Sequence, residues 1–140
     1  MQDSNIQKKL LPEDALLKLG VGAVYLFGSH AEGVAGEGSD IDVGVVMKDP
    51  RAHRSKITPL YEKLYNILSD VFDMSNFRTI DIVFLERASL ELCFDAITHG
   101  KVLFESSSDF RLDFEERVAA KYRDFKPLLE MFNQAVLARV

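Results

Sequence analysis

The sequence predicts an α/β fold (α+β in the looser sense). It has a mixed sheet of about four strands flanked by helices, and a long helical segment at the C-terminal end. Three observations predict it. Short apolar runs bounded by glycine or polar clusters alternate with longer stretches of helical spacing. Hydrophobic residues make up 47% of the 140 and charged ones 28%, enough to build a core. No repeat, low-complexity tract or linker divides the chain, so residues 1–140 read as a single domain.

Ser4 to Leu11 reads as a short helix, with Ile6, Leu10 and Leu11 on one side. Pro12 suits the first turn of a second helix, Pro12 to Leu19, where its missing N–H costs nothing, and Gly20 stops it. Ala23 to Phe27 is a short apolar strand. Gly28 to Ser39 is a glycine-rich loop, and Asp40 to Met47 is the second strand. Lys48 to Lys56 is a basic loop. Ile57 to Phe72 has helical spacing through Leu60, Leu64, Ile67, Leu68 and Val71, with Pro59 in its first turn. Thr79 to Leu85 is the third strand. Ser89 caps a helix to His99, which Gly100 stops, and Lys101 to Phe104 is the fourth strand. From Ser108 the chain is helical, with Phe110, Phe114, Val118, Tyr122 and Phe125 on one face. Pro127 is expected to break or kink that helix near Phe125–Lys126.

The net charge of −5 argues against broad electrostatic binding of nucleic acid, so no direct nucleic-acid contact is expected. A local phosphate site remains compatible with it. The single cysteine, Cys93, forms no internal disulfide and reads as a small buried apolar residue. No apolar run approaches the ~20 residues of a membrane helix, and the N-terminal stretch lacks a signal-peptide core. A cytoplasmic protein with no membrane partner is the expectation.

Two aspartates stand where a buried strand begins. Asp40 and Asp42 are two residues apart, so they share a strand face at a separation of about 6.6 Å. Ile41, Val43 and Val45 face the other side, which is expected to be the core. Asp81 sits early in the third strand, on a face with Val83 and Leu85. If the second and third strands are neighbours, the three carboxylates converge. Clustered carboxylates repel one another, and a divalent cation removes the conflict. Mg²⁺ takes oxygen ligands and is commonly held by one or two carboxylates plus substrate phosphates. Strand one meanwhile ends in Gly28-Ser29, a turn whose backbone N–H groups and hydroxyl can face an anion.

The pattern Gly28-Ser29-x10-Asp40-x-Asp42, with Asp81 in a later strand, resembles the DNA polymerase β-type nucleotidyltransferase superfamily. The run Phe27-Gly28-Ser29-His30-Ala31-Glu32-Gly33 and the Ser39-Asp40-Ile41-Asp42 core most resemble its minimal nucleotidyltransferases. Among these, the chain is most similar to the antitoxins of type VII toxin–antitoxin systems, whose partner is a HEPN-domain RNase toxin. The resemblance implies a nucleotidyltransferase-type sheet. It implies that Gly28, Ser29 and Ser39 bind the nucleotide. It further implies that Asp40, Asp42 and Asp81 hold two Mg²⁺ ions around ATP, Asp81 assisting deprotonation of the attacking hydroxyl. Relatives often carry arginine where this chain has Glu32. Phosphate neutralisation is then expected to fall on Mg²⁺ or on the Lys48–Lys56 loop.

The implied activity is transfer of AMP from ATP to a tyrosine hydroxyl of the toxin, neutralising it within a hetero-oligomer. Little chain follows Asp81 from which to build a small-acceptor pocket, which favours a macromolecular acceptor. Two other readings are a non-enzymatic antitoxin acting by complex formation and a small-molecule, aminoglycoside-type nucleotidyltransferase. The segment after Pro127 is a candidate docking element for a partner.

Overall fold

The computed structural model describes residues 11–28, 41–72 and 80–138. The predicted Ser4–Leu11 helix falls almost wholly outside them, as do Ser29, Ser39 and Asp40. Helix α1 (Glu13–Lys18) follows Pro12, and Gly20 takes the left-handed conformation (φ 84°) that turns the chain into strand β1 (Val21–Phe27). Strand β2 (Ile41–Met47) leads to a 3₁₀ turn (Pro50–His53) and helix α2 (Ile57–Val71). Strand β3 (Ile80–Phe84), a 3₁₀ turn (Leu85–Arg87), helix α3 (Leu90–His99), strand β4 (Lys101–Glu105) and helix α4 (Ser108–Leu137) complete the order. Ser89 caps α3 as expected, its hydroxyl accepting the Leu92 N–H at 3.2 Å.

The sheet order is β3-β2-β1-β4. β1 runs antiparallel to β2 and to β4, and β2 runs parallel to β3. A parallel pair requires a crossover, and α2 lies on that connection. Its apolar stripe of Leu60, Leu64 and Leu68 packs on Val24, Leu26, Ile41, Val43, Val45 and Ile82 to form one core. The opposite sheet face carries a second core, where Ala23, Tyr25, Phe27 and Val46 meet Cys93, Ala96, Phe114 and Val118 of α3 and α4.

The expectation that only the Ile41/Val43/Val45 side is core is therefore corrected. The face that carries Asp42 is covered farther along by α3 and α4. The period-2 pattern missed this because β1 and β2 are apolar on both sides, as strands buried on both faces are.

Pro127 does not end the last helix, which runs over 30 residues with the proline inside. Proline removes one backbone hydrogen bond, and the residues beyond it, Leu128 to Met131, are strong helix formers that resume the ladder. The first half of α4 is held on the sheet by a polar latch. Buried Tyr25 donates its hydroxyl to Glu115 Oε2 at 2.7 Å, and Arg111 Nη1 donates to the same oxygen at 2.9 Å. Arg111 Nε also donates to Glu105 on β4. Burial, and then the Glu115 carboxylate, push the Tyr25 phenol well above its ordinary value. The folded state thus holds this proton more tightly than the unfolded chain. Its contribution is full below pH ~10 and is lost as pH rises beyond that.

Candidate active site at the N-terminal ends of β2 and β3

Asp42 and Asp81 are each the second residue of their strands, and the parallel register pairs them directly. Neighbouring strands lie about 4.8 Å apart, so the two carboxylates leave adjacent backbones on the same face. Asp42 shares that face with Gly44 and Val46, and Asp81 shares it with Val83. Asp42 is half-buried and Asp81 is exposed, so the pair forms the wet rim of an otherwise apolar face.

The third strand of the site is β1. Its antiparallel register sets Phe27 against Asp42, which delivers Gly28 beside the aspartate. Gly28 has φ 74°, a conformation that favours glycine. A methyl group at its Cα would overlap Asp42 Oδ2. Glycine is thus required here twice, by the backbone and by the space the carboxylate occupies.

The donor set is oxygen-only and anionic, which suits a hard divalent cation. Among the described residues no group of three or more His, Cys, Asp or Glu side chains comes together. Asp40, the third expected carboxylate, lies outside them with Ser29 and Ser39. The structure thus brings together Asp42, Asp81 and Gly28 of the predicted set.

The Lys48–Lys56 loop is not part of this constellation, so of the two expected sources of phosphate neutralisation, Mg²⁺ or this loop, the geometry does not favour the loop. It follows Met47, which pairs with Val21 at the far end of the β1–β2 ladder from Phe27–Asp42. Asp42 and Met47 are five residue steps apart along the strand, about 17 Å. Arg51 and Arg54 instead line a cleft of about 510 Å³ with Asp49, Pro50, Glu86 and Arg87.

The sequence reading passed over Glu86, whose one visible signal is an acid directly after an apolar strand. Its Oε1 accepts the Met47 N–H at 3.1 Å, tying the end of β2 to the turn after β3. Burial raises its carboxyl above the usual range, so the protonated form is favoured by folding. The charged form therefore costs stability as pH rises through that raised value. Glu86→Gln keeps an acceptor for Met47 and is expected to raise the melting temperature near neutral pH. The gain should vanish toward pH 4, as followed by calorimetry across pH. Cys93 is buried and donates its thiol to Leu85 O at 2.9 Å, and burial pushes the thiol up. This agrees with its reading as a core residue. No helix among the described residues is long and apolar enough to cross a membrane.

Comparison with known proteins gives the family. The family model described as polymerase beta, nucleotidyltransferase, matches residues 13–109. The protein adenylyltransferase MntA of Shewanella oneidensis is 32% identical over 139 residues, 98% of this chain and 88% of that protein. A crystal structure of a toxin–antitoxin with AMP-PNP superposes with a TM-score of 0.64 at 27% identity, over 91% of this chain and 99% of that one. A tri-AMPylated Shewanella oneidensis HEPN toxin in complex with MNT antitoxin gives 0.58 at 26% identity, over 89% and 95%. The chain belongs to the polymerase β nucleotidyltransferase family, among the minimal nucleotidyltransferases that include the protein adenylyltransferase MntA.

Proposed function

We propose that this chain, as one nucleotidyltransferase domain over residues 1–140, transfers AMP from ATP to a tyrosine hydroxyl of a partner HEPN RNase toxin and so neutralises it. The observation that carries this reading is the pairing of Asp42 with Asp81 across a parallel ladder, with Gly28 set against Asp42. A pure binding module has no use for that juxtaposition. The similarity to MntA, and to an antitoxin seen with its AMPylated toxin, supports the acceptor class.

Asp42 and Asp81, with Asp40, would hold Mg²⁺. When bound, the ion neutralises the triphosphate and the charge that develops on it. Gly28, with Ser29 and Ser39, receives the nucleotide phosphates: a residue without a side chain lets backbone approach them closely. The phenol oxygen of the toxin forms the new bond to the α-phosphorus, and the bond from that phosphorus to the bridging oxygen of the β-phosphate breaks. Pyrophosphate leaves with the bond's electron pair. Asp81, exposed at the rim, accepts the phenol proton.

Incubation with α-labelled ATP, Mg²⁺ and the cognate toxin tests this. Label is expected on a toxin tyrosine, one equivalent of pyrophosphate being released per AMP, and toxin RNase activity should fall in parallel. An unlabelled toxin that is still fully neutralised by the Asp40→Asn variant would instead establish inhibition by complex formation.

A further inference from the structure

Helix α4 extends past the two cores. Phe110, Phe114 and Val118 pack on the second core, and Tyr122 stacks on Phe94 of α3 at 3.9 Å. Neither core takes a residue from beyond Val118. The apolar stripe nevertheless continues in the same helical register through Phe125, Leu128, Phe132 and Val136, with Met131 beside it. Leu128 is 61% exposed and Phe132 65%. Glu130 is the one charged residue between Pro127 and Ala138. At ~1.5 Å per residue this segment carries roughly 18 Å of apolar helix away from the sheet. A run of large apolar side chains this exposed on one helix is the mark of a surface that a partner covers.

We propose that this projecting half of α4 seats the acceptor protein, an apolar groove of the HEPN toxin receiving Leu128, Phe132 and Val136. This rests on the AMP-transfer reading above. Two observations select that occupant. The stripe belongs to the helix lying on the same sheet face as Asp42 and Asp81, so a partner held there arrives on the side the carboxylates face. The area also matters. The segment offers a patch of a few hundred Å², whereas a stable interface buries about 800 Å² per partner. A self-pairing of two such segments falls short of that. A partner that also reaches along the α3–α4 layer to the carboxylate rim meets it. The near absence of charge fits an apolar protein groove and not a phosphate backbone.

The double variant Leu128→Glu/Phe132→Glu tests this, with toxin affinity measured by calorimetry. Both positions are exposed, so the melting curve and ATP binding are expected to match wild type. Toxin affinity should fall about ten- to a hundred-fold, and AMP transfer should need correspondingly more toxin. Unchanged toxin affinity overturns the proposal. So does a wild-type dimer, seen by sedimentation, that the variant converts to monomer while toxin binding persists. Asp42→Asn separates this from the proposed reaction. That variant should bind toxin as wild type does without transferring AMP. Loss of toxin binding in the helix variant supports docking even if wild type transfers no label. Labelling that the helix variant leaves intact at limiting toxin supports the reaction and sinks the docking surface.

Discussion

Replacing Asp42 by asparagine is expected to lower AMP transfer by about 10²–10³-fold, and Asp81→Asn to do the same. The double variant should be little worse than either single one, because residues that act on one cation lose their function together. The basis is the register that sets the two carboxylates side by side on β2 and β3. Asparagine keeps the shape and removes the charge, so melting temperatures should stay close to wild type. Initial rates of labelled AMP incorporation at saturating toxin check this. A variant retaining more than about a tenth of wild-type transfer would remove that residue from the reaction. Magnesium titration adds an independent measure: the metal concentration at half-maximal rate should rise in either single variant.

Gly28→Ala is expected to disable the site by a different route. An alanine at φ 74° costs about 1–2 kcal/mol, and its methyl group has to displace the Asp42 carboxylate. Gly20→Ala is the matched control. Gly20 also has positive φ (84°), but a methyl there meets His53 Nε2 at 3.4 Å and Met47 Cε at 3.9 Å, ordinary contacts. Both variants should therefore lose a similar backbone-strain increment in denaturant titrations. Only Gly28→Ala should also lose transfer, by an amount approaching that of Asp42→Asn. Equal activity in the two variants would show that the turn at Gly28 plays no part in placing the carboxylate.

Much of this architecture was legible from local chemistry. Ser89 before a helical run and Gly20 after one are caps whose side-chain or backbone properties act over a single turn, and both ends fall where expected. The strands expected at Ala23–Phe27, Thr79–Leu85 and Lys101–Phe104 were visible as apolar runs bounded by polar or glycine-rich segments, and they fall within two residues of the observed Val21–Phe27, Ile80–Phe84 and Lys101–Glu105. The course of α4 was less legible. A proline rule weighs one lost hydrogen bond and one ring clash, whereas the helix gains from every residue on either side of it. The second core was hidden for another reason. Alternation reports a buried face only when the other face is polar, and β1 is buried along its whole length. The latch from Tyr25 to Glu115 joins residues 90 positions apart, and no local pattern foretells it.

By itself the sequence singled out the candidate residues: small residues at a strand end, and acids at the starts of two apolar strands. Period-2 geometry alone puts Asp42 on the face opposite Ile41, Val43 and Val45, because successive side chains of any strand alternate. Only the tertiary structure decided that Asp42 and Asp81 stand opposite each other, that Gly28 abuts Asp42, and that the basic loop lies at the other end of the sheet. Strand neighbourhood, direction and register depend on contacts between segments far apart in the chain. They are settled by burying both sheet faces at once, a condition that no single segment carries within its own residues.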